Sequence, residues 1–218
     1  MKASKHFLSK WKNEYDFKTY IAAGGSLFVT LIFALYNGFL GIYHESLWHG
    51  TICVYYILLS GLRGSIIIAA KKLAKREAQE AERNKASLKI SFLLLILNIS
   101  LIVPISIMVR QQKPVSLTLV PAIAMAAYTT YKVAVASVNL KKRKISSDSL
   151  VWLLRTIGFI DALVSLLTLQ NTLVMVKSDG DYRNMLPLTG FTSAVVWGIV
   201  VIMSFGVIVK GFKRIKKG

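Results

Sequence analysis

Residues 48–76, WHGTICVYYILLSGLRGSIIIAAKKLAKR, decide the fold class. The stretch opens as an apolar run, carries a guanidinium at Arg63 well before that run ends, and passes into a cluster of lysines and arginine. Were the run to stop before Arg63, it would be too short to cross a bilayer, whose hydrocarbon core of about 30 Å needs about 20 helical residues. GSIIIAA continues it beyond Arg63. The stretch therefore reads as a membrane-spanning helix with a charge roughly 12 Å inside its basic end, at about 1.5 Å per residue.

Composition extends this reading to the whole chain. Of 218 residues, 54% are hydrophobic and 17% charged, with mean hydropathy +0.53, which excludes an ordinary soluble domain. A net charge of +18 alone would point to nucleic acid. Here the basic residues sit between apolar runs, as membrane topology requires, so no nucleic-acid partner is expected. Cys53 is the single cysteine and lies in an apolar run, which leaves no intrachain disulfide and no thiolate metal cluster.

Apolar segments recur at about 19–42, 48–70, 88–109, 115–138, 150–176 and 186–209. Each is long enough to span, and Pro104 and Pro121 are tolerable inside a bundle whose neighbours satisfy the freed carbonyls. The fold expected is an all-α integral membrane protein of six transmembrane helices, arranged as three hairpins.

Orientation follows from lysine and arginine asymmetry. One side holds Lys2, Lys5, Lys10, Lys12 and Lys18, the cluster from Lys71 to Lys89, residues 141–144 (KKRK), and Lys210, Lys213, Arg214, Lys216 and Lys217. The other side has Arg110, Lys113, Lys177 and Arg183. Both termini are therefore expected in the cytoplasm, in a multi-pass protein of the plasma membrane. The hairpins 19–76, 86–144 and 150–217 share the layout of small residues followed by a basic cluster; they read either as the positive-inside rule acting three times or as three loose repeats, whose interfaces would then be places for a site.

Three segments outside the spans complete the organisation. Residues 1–18 place Phe7, Leu8, Trp11 and Tyr15 on one helical face, which suits an interfacial helix on anionic headgroups. They do not read as a signal peptide, since no small-residue cleavage site follows. Residues 71–87 read as a basic cytoplasmic extension of the second helix, and 210–218 as a basic tail.

Any chemistry must come from polar groups inside the spans. Arg63 shares a stripe with His49, Tyr56 and Ser60, and a charge at such depth needs a partner inside the bundle. Asp161, at a similar depth, is the natural counter-ion, and Ser165, Thr168 and Thr172 continue its stripe. The pair either locks the bundle or makes Asp161 a proton or cation site tuned by the guanidinium. Lys132 reads more simply as an interfacial residue that snorkels, although with VAVASV in the membrane it joins Arg63 and Asp161, flanked by Tyr128 and Thr129. Arg155, early in its span, reads as a headgroup anchor. Ser26, Thr30, Asn37 and Gly41, beside Gly24 and Gly25, read as a packing face of the first helix, with Ser60/Gly64 and Gly61/Ser65 as small pairs on the second. Asn98 and Gln170–Asn171 are expected to bond between helices.

The loop YHESLWHG offers His44, Glu45 and His49, but not at the spacing of a zinc helix motif, so wet interface residues are expected and no metal site. No phosphate loop, nucleophile elbow or carboxylate pair occurs. No cofactor is implied, and an enzyme is disfavoured.

The segments YYILLSGLRG, AMAAYTTYKVAVASVNL and ALVSLLTLQNTLV resemble those of a small six-helix membrane protein family of clostridia-type Gram-positive bacteria. The resemblance implies a bacterial origin and the same topology, and no activity. Two functional readings stand. One is a small channel or transporter with a polar path past Arg63, Asp161, Lys132, Tyr56, Ser60, Ser165 and Thr168. The other is a non-transporting sensor, scaffold or partner subunit acting through its basic face, as a homo-oligomer or with a membrane partner.

Overall fold

Away from water, an isolated apolar segment can satisfy its own backbone only as a helix, and helices are what this chain forms. The structure, a computed structural model, describes residues 2–43, 45–75, 79–111, 119–142, 148–177 and 186–217. These form α1 (Lys2–Tyr43), α2 (Leu47–Lys75), α3 (Glu80–Ser100), α4 (Ile102–Gln111), α5 (Leu119–Lys142), α6 (Ser149–Lys177) and α7 (Leu186–Lys217). α1 is unbroken across residue 18, where the interfacial segment was expected to give way to the span. The side chains before Thr19 lie outside the described residues.

Among the described residues, five segments are long and apolar enough to cross a membrane: Thr19–Tyr43, Leu47–Lys75, Glu80–Ile107, Ser149–Gln170 and Pro187–Lys216. The third contains α3 and the first part of α4. Pro104 has no N–H to give the Ser100 carbonyl, so the helix breaks at Leu101 and resumes with Ile105 N bonding the Leu101 carbonyl at 3.3 Å. The fourth expected span, 115–138, begins in residues outside the description.

The link between α2 and α3 differs from expectation. Residues 71–87 are not one extension of α2, which is described to Lys75. Gln79 is extended (φ −62°, ψ 156°), and a new helix starts with Glu80 and Glu82 in its first turn. Carboxylates there complement the helix dipole, a signal for a start rather than a continuation. Nor is this turn free in solvent, because Asn84 and Ser87 are buried and Arg83 bonds Asp148.

The α1–α2 connection is built from hydrogen bonds. Glu45 takes a left-handed φ of 48°, its N–H bonds the Ile42 carbonyl at 3.4 Å, and Ser46 N–H reaches back to Gly41 at 2.9 Å. This closes α1 in the six-to-one pattern that normally uses glycine. Ser46 then caps α2, its Oγ accepting from His49 N–H and lying 3.0 Å from His49 Nδ1. His49 is thus a buried capping partner, and His44 lies outside the described residues.

α1 packs on α2, α3 on α7 and α5 on α6, while α6 also touches α1, α2, α3 and α7. This corrects the three-hairpin expectation in packing terms. Among the described residues the third and fourth expected spans do not pack as a pair: α3 joins α7 and α5 joins α6. α6 is central: 78% of its membrane-length window is buried, against 22–44% in the other four segments. It is apolar around most of its circumference, and such a helix has to be enclosed. The outer surface exposes large apolar side chains on several helices, among them Leu35, Phe39, Ile42, Ile68, Ile202 and Phe205, which suits a surface that faces acyl chains.

Close helix approach falls at fewer glycines than expected. A Cβ on Gly41 would lie 2.9 Å from Gly50 N, and one on Gly38 would lie 3.1 Å from Cys53 Sγ, so α1 and α2 nearly touch there. Gly24, Gly25 and Gly61 meet nothing within 4 Å. Asn98 does bond between helices: it accepts from Tyr55 OH at 3.0 Å and donates to Ser204 Oγ at 2.7 Å, joining α2, α3 and α7. Gln170 likewise bonds Thr192 of α7.

Several helix ends meet at one end of the bundle. Tyr20 OH donates to Asp148 Oδ2 at 3.0 Å, Arg83 bonds the same carboxylate, and Lys210 and Arg214 lie over the Trp152 ring. Asp148 also caps α6 through Leu150 N–H at 3.0 Å. The start of the α1 span at Tyr20, the starts of α3 and α6 and the last turns of α7 therefore lie together.

Candidate functional site

The buried charges of α2, α5 and α6 have no water to turn to, so each must find a partner in the bundle. Arg63 Nη2 lies 2.7 Å from Asp161 Oδ2, and Lys132 Nζ lies 2.7 Å from Oδ1. Each carboxylate oxygen thus has its own cation. Asp161 is fully buried and Arg63 is 2% exposed, while the Lys132 side chain keeps 10%.

The remaining donors are met by neighbouring helices. Arg63 Nη1 donates to Ser26 Oγ at 2.8 Å and Thr30 Oγ1 at 3.2 Å, both on α1. Its Nη2 also reaches the Ile157 carbonyl at 3.5 Å. Lys132 donates to Ser165 Oγ at 2.7 Å; that hydroxyl bonds the Asp161 carbonyl at 2.8 Å and lies 3.2 Å from Tyr56 OH. The network therefore ties α1, α2, α5 and α6 through one carboxylate. Lys132 Nζ also sits 5.7 Å from the ring centres of Tyr56 and Tyr128.

Of the expected site residues, Arg63, Asp161, Lys132, Tyr56 and Ser165 come together. Thr168 is buried one turn beyond Ser165, with its hydroxyl on the Val164 carbonyl at 3.1 Å. Ser60 stays outside: it is buried, and its Oγ has no hydrogen-bond partner among the described residues. The interfacial reading of Lys132 is corrected, since its ammonium is held on Asp161. Arg155 is corrected too. It is buried, donating to Thr19 Oγ1 at 2.8 Å and the Asn139 carbonyl at 3.3 Å, because α1 at Thr19 and the last turns of α5 cover it.

A cavity of about 540 Å³ opens beside this network, between the first half of the α1 span and the last half of α5, with α6 as its floor. Its cations are Arg63, Lys132 and Arg155, with Ser26, Thr19, Asn139, Tyr128 and Tyr131 as the polar remainder. Ala22, Ala23, Val29, Val135, Ala136, Leu154 and Gly158 supply apolar wall. No carboxylate lines it among the described residues. Asp161 stands behind Arg63 and Lys132, and Phe33 stacked on Tyr128 at 5.4 Å bridges α1 and α5 near the inner end.

Ser26 and Thr30 were legible as a polar stripe on α1 but not as guanidinium ligands, since nothing in the sequence says which neighbour that stripe faces. Comparison with known protein families, with curated proteins and with solved structures finds no match for this chain.

Proposed function

We propose that the protein is a multi-pass membrane protein, both termini cytoplasmic, that binds an anionic ligand in the cationic cavity between α1, α5 and α6 and carries it across the bilayer. The observation that carries this reading is the charge of the cavity wall: Arg63, Lys132 and Arg155 line it and no described carboxylate does. Arg63 and Lys132 share the one carboxylate of Asp161, which leaves that network one positive charge in surplus in a site of low dielectric, where an anion is attracted strongly. Its volume lies within the few hundred to about 1,000 Å³ common for ligand sites.

A proton or metal-ion path through Asp161 fits less well, because both of its oxygens already hold cations. An open pore fits less well too. Beyond the cavity lie Tyr56, Ser165 and Thr168, all buried and hydrogen-bonded, so passage requires the bundle to rearrange around a fixed site, as carriers do.

The test is thermal unfolding of the chain in a zwitterionic detergent at constant ionic strength. Phosphate monoesters, soluble or amphiphilic, raise the midpoint, whereas exchanging sodium for potassium does not. Lys132→Met, which keeps the Arg63–Asp161 pair, removes that response. No shift with any anion sinks the reading. Binding without flux in proteoliposomes turns the carrier into a non-transporting sensor.

A further inference from the structure

The cavity is more than a polar pit, and its shape constrains what can fill it. Its cations lie against the α6 floor and deep on α2, whereas much of its wall is alanine, valine, leucine and glycine. α1 and α5 are not packed as a pair among the described residues. They meet through Phe33 and Tyr128 and leave a gap from there towards Thr19 and Asn139. The edges of the gap carry exposed apolar groups: Ile21 on α1, and Val135, Val138 and the 67%-exposed Tyr131 on α5. In a bilayer that flank faces acyl chains.

A small hydrated anion uses the cations and leaves the apolar wall against water. A ligand with an anionic head and an acyl chain satisfies both, with its head on the cations and its chain leaving sideways between α1 and α5. The Nη groups of Arg63 are already bonded to Ser26, Thr30, Asp161 and the Ile157 carbonyl, so Arg63 contributes charge, while the Arg155 guanidinium and the Lys132 ammonium line the cavity as groups of the kind that hold phosphate oxygens. We infer that the ligand is a phospholipid with a net anionic head that enters the α1–α5 gap laterally from the leaflet on the basic side. This rests on the anion reading above and names the ligand's class.

The test uses the full-length chain in native mass spectrometry from a zwitterionic detergent, offered phosphatidylglycerol, phosphatidylcholine or inorganic phosphate. Phosphatidylglycerol is expected to be retained at least tenfold over phosphatidylcholine. Ala22→Trp, which fills the gap from an exposed position on α1, and Arg155→Gln, which removes a cation from the wall, each cut that retention at least tenfold. Should Arg155→Gln fail to fold, Ala22→Trp decides alone. Equal retention of the two lipids, or undiminished retention in Ala22→Trp, overturns the inference. Inorganic phosphate that stabilises the chain while phosphatidylglycerol is not retained overturns it too, and leaves the anion reading intact. Failure of every anion removes both.

Discussion

Asp161 is the residue on which the interior depends, because it is the counter-ion of Arg63 and Lys132 at once. Asp161→Asn keeps shape and polarity but leaves two buried cations facing one another. Removing one member of such a buried network costs about 3–5 kcal/mol. Thermal or denaturant unfolding in detergent should show a loss of that size. Lys132→Met should lose less than half as much, since Arg63 keeps its carboxylate and its bonds to Ser26 and Thr30. Equal losses would mean that Lys132, not Arg63, is the principal partner. The Arg63–Asp161 meeting was legible beforehand because each is a charge stranded in an apolar run, and low dielectric leaves such groups little choice. Lys132 was not. Its long stem fits an interface as well as a core, and only the packing of α5 on α6 decides between them.

At the scale of the element, the contrast among the α1 glycines is informative. Gly24, Gly25 and Gly41 were readable as close-packing positions, yet only Gly41 and Gly38, which the sequence did not single out, meet α2. Gly41→Ala puts a methyl within 2.9 Å of backbone and should cost about 1–3 kcal/mol in unfolding free energy. Gly24→Ala meets nothing and should be neutral or stabilising by up to about 1 kcal/mol, through helix propensity alone. Equal effects in the same unfolding assay would refute the close approach. Pro104 shows the converse case, since its missing N–H makes a helix break predictable from chemistry, though not at which neighbouring residue.

The whole molecule has one end where Thr19, Arg83, Asp148, Arg155 and Lys210 gather, and an opposite end at the α1–α2 turn. In a Cys53→Ala background, Leu47→Cys should react with a membrane-impermeant maleimide on intact cells, and Glu80→Cys only after permeabilisation. Both positions are exposed, so the readout is sidedness rather than burial. The reverse pattern would invert the proposed topology, and with it the leaflet from which the cavity is reached.

Hydropathy and charge placement by themselves determined that the chain forms long apolar helices, which of their ends are basic, and that Arg63 and Asp161 need one another. These follow from the cost of bare backbone and bare charge in a medium without water, a cost each segment meets alone. Which helices are neighbours was decided only by the tertiary structure. Helical periodicity marks a face without saying what it faces, so the splitting of the expected second hairpin, the central place of α6, the capture of Lys132 and the burial of Arg155 depend on shape fitting between elements. The cavity beside Arg63 is likewise a product of two helices that do not fully meet.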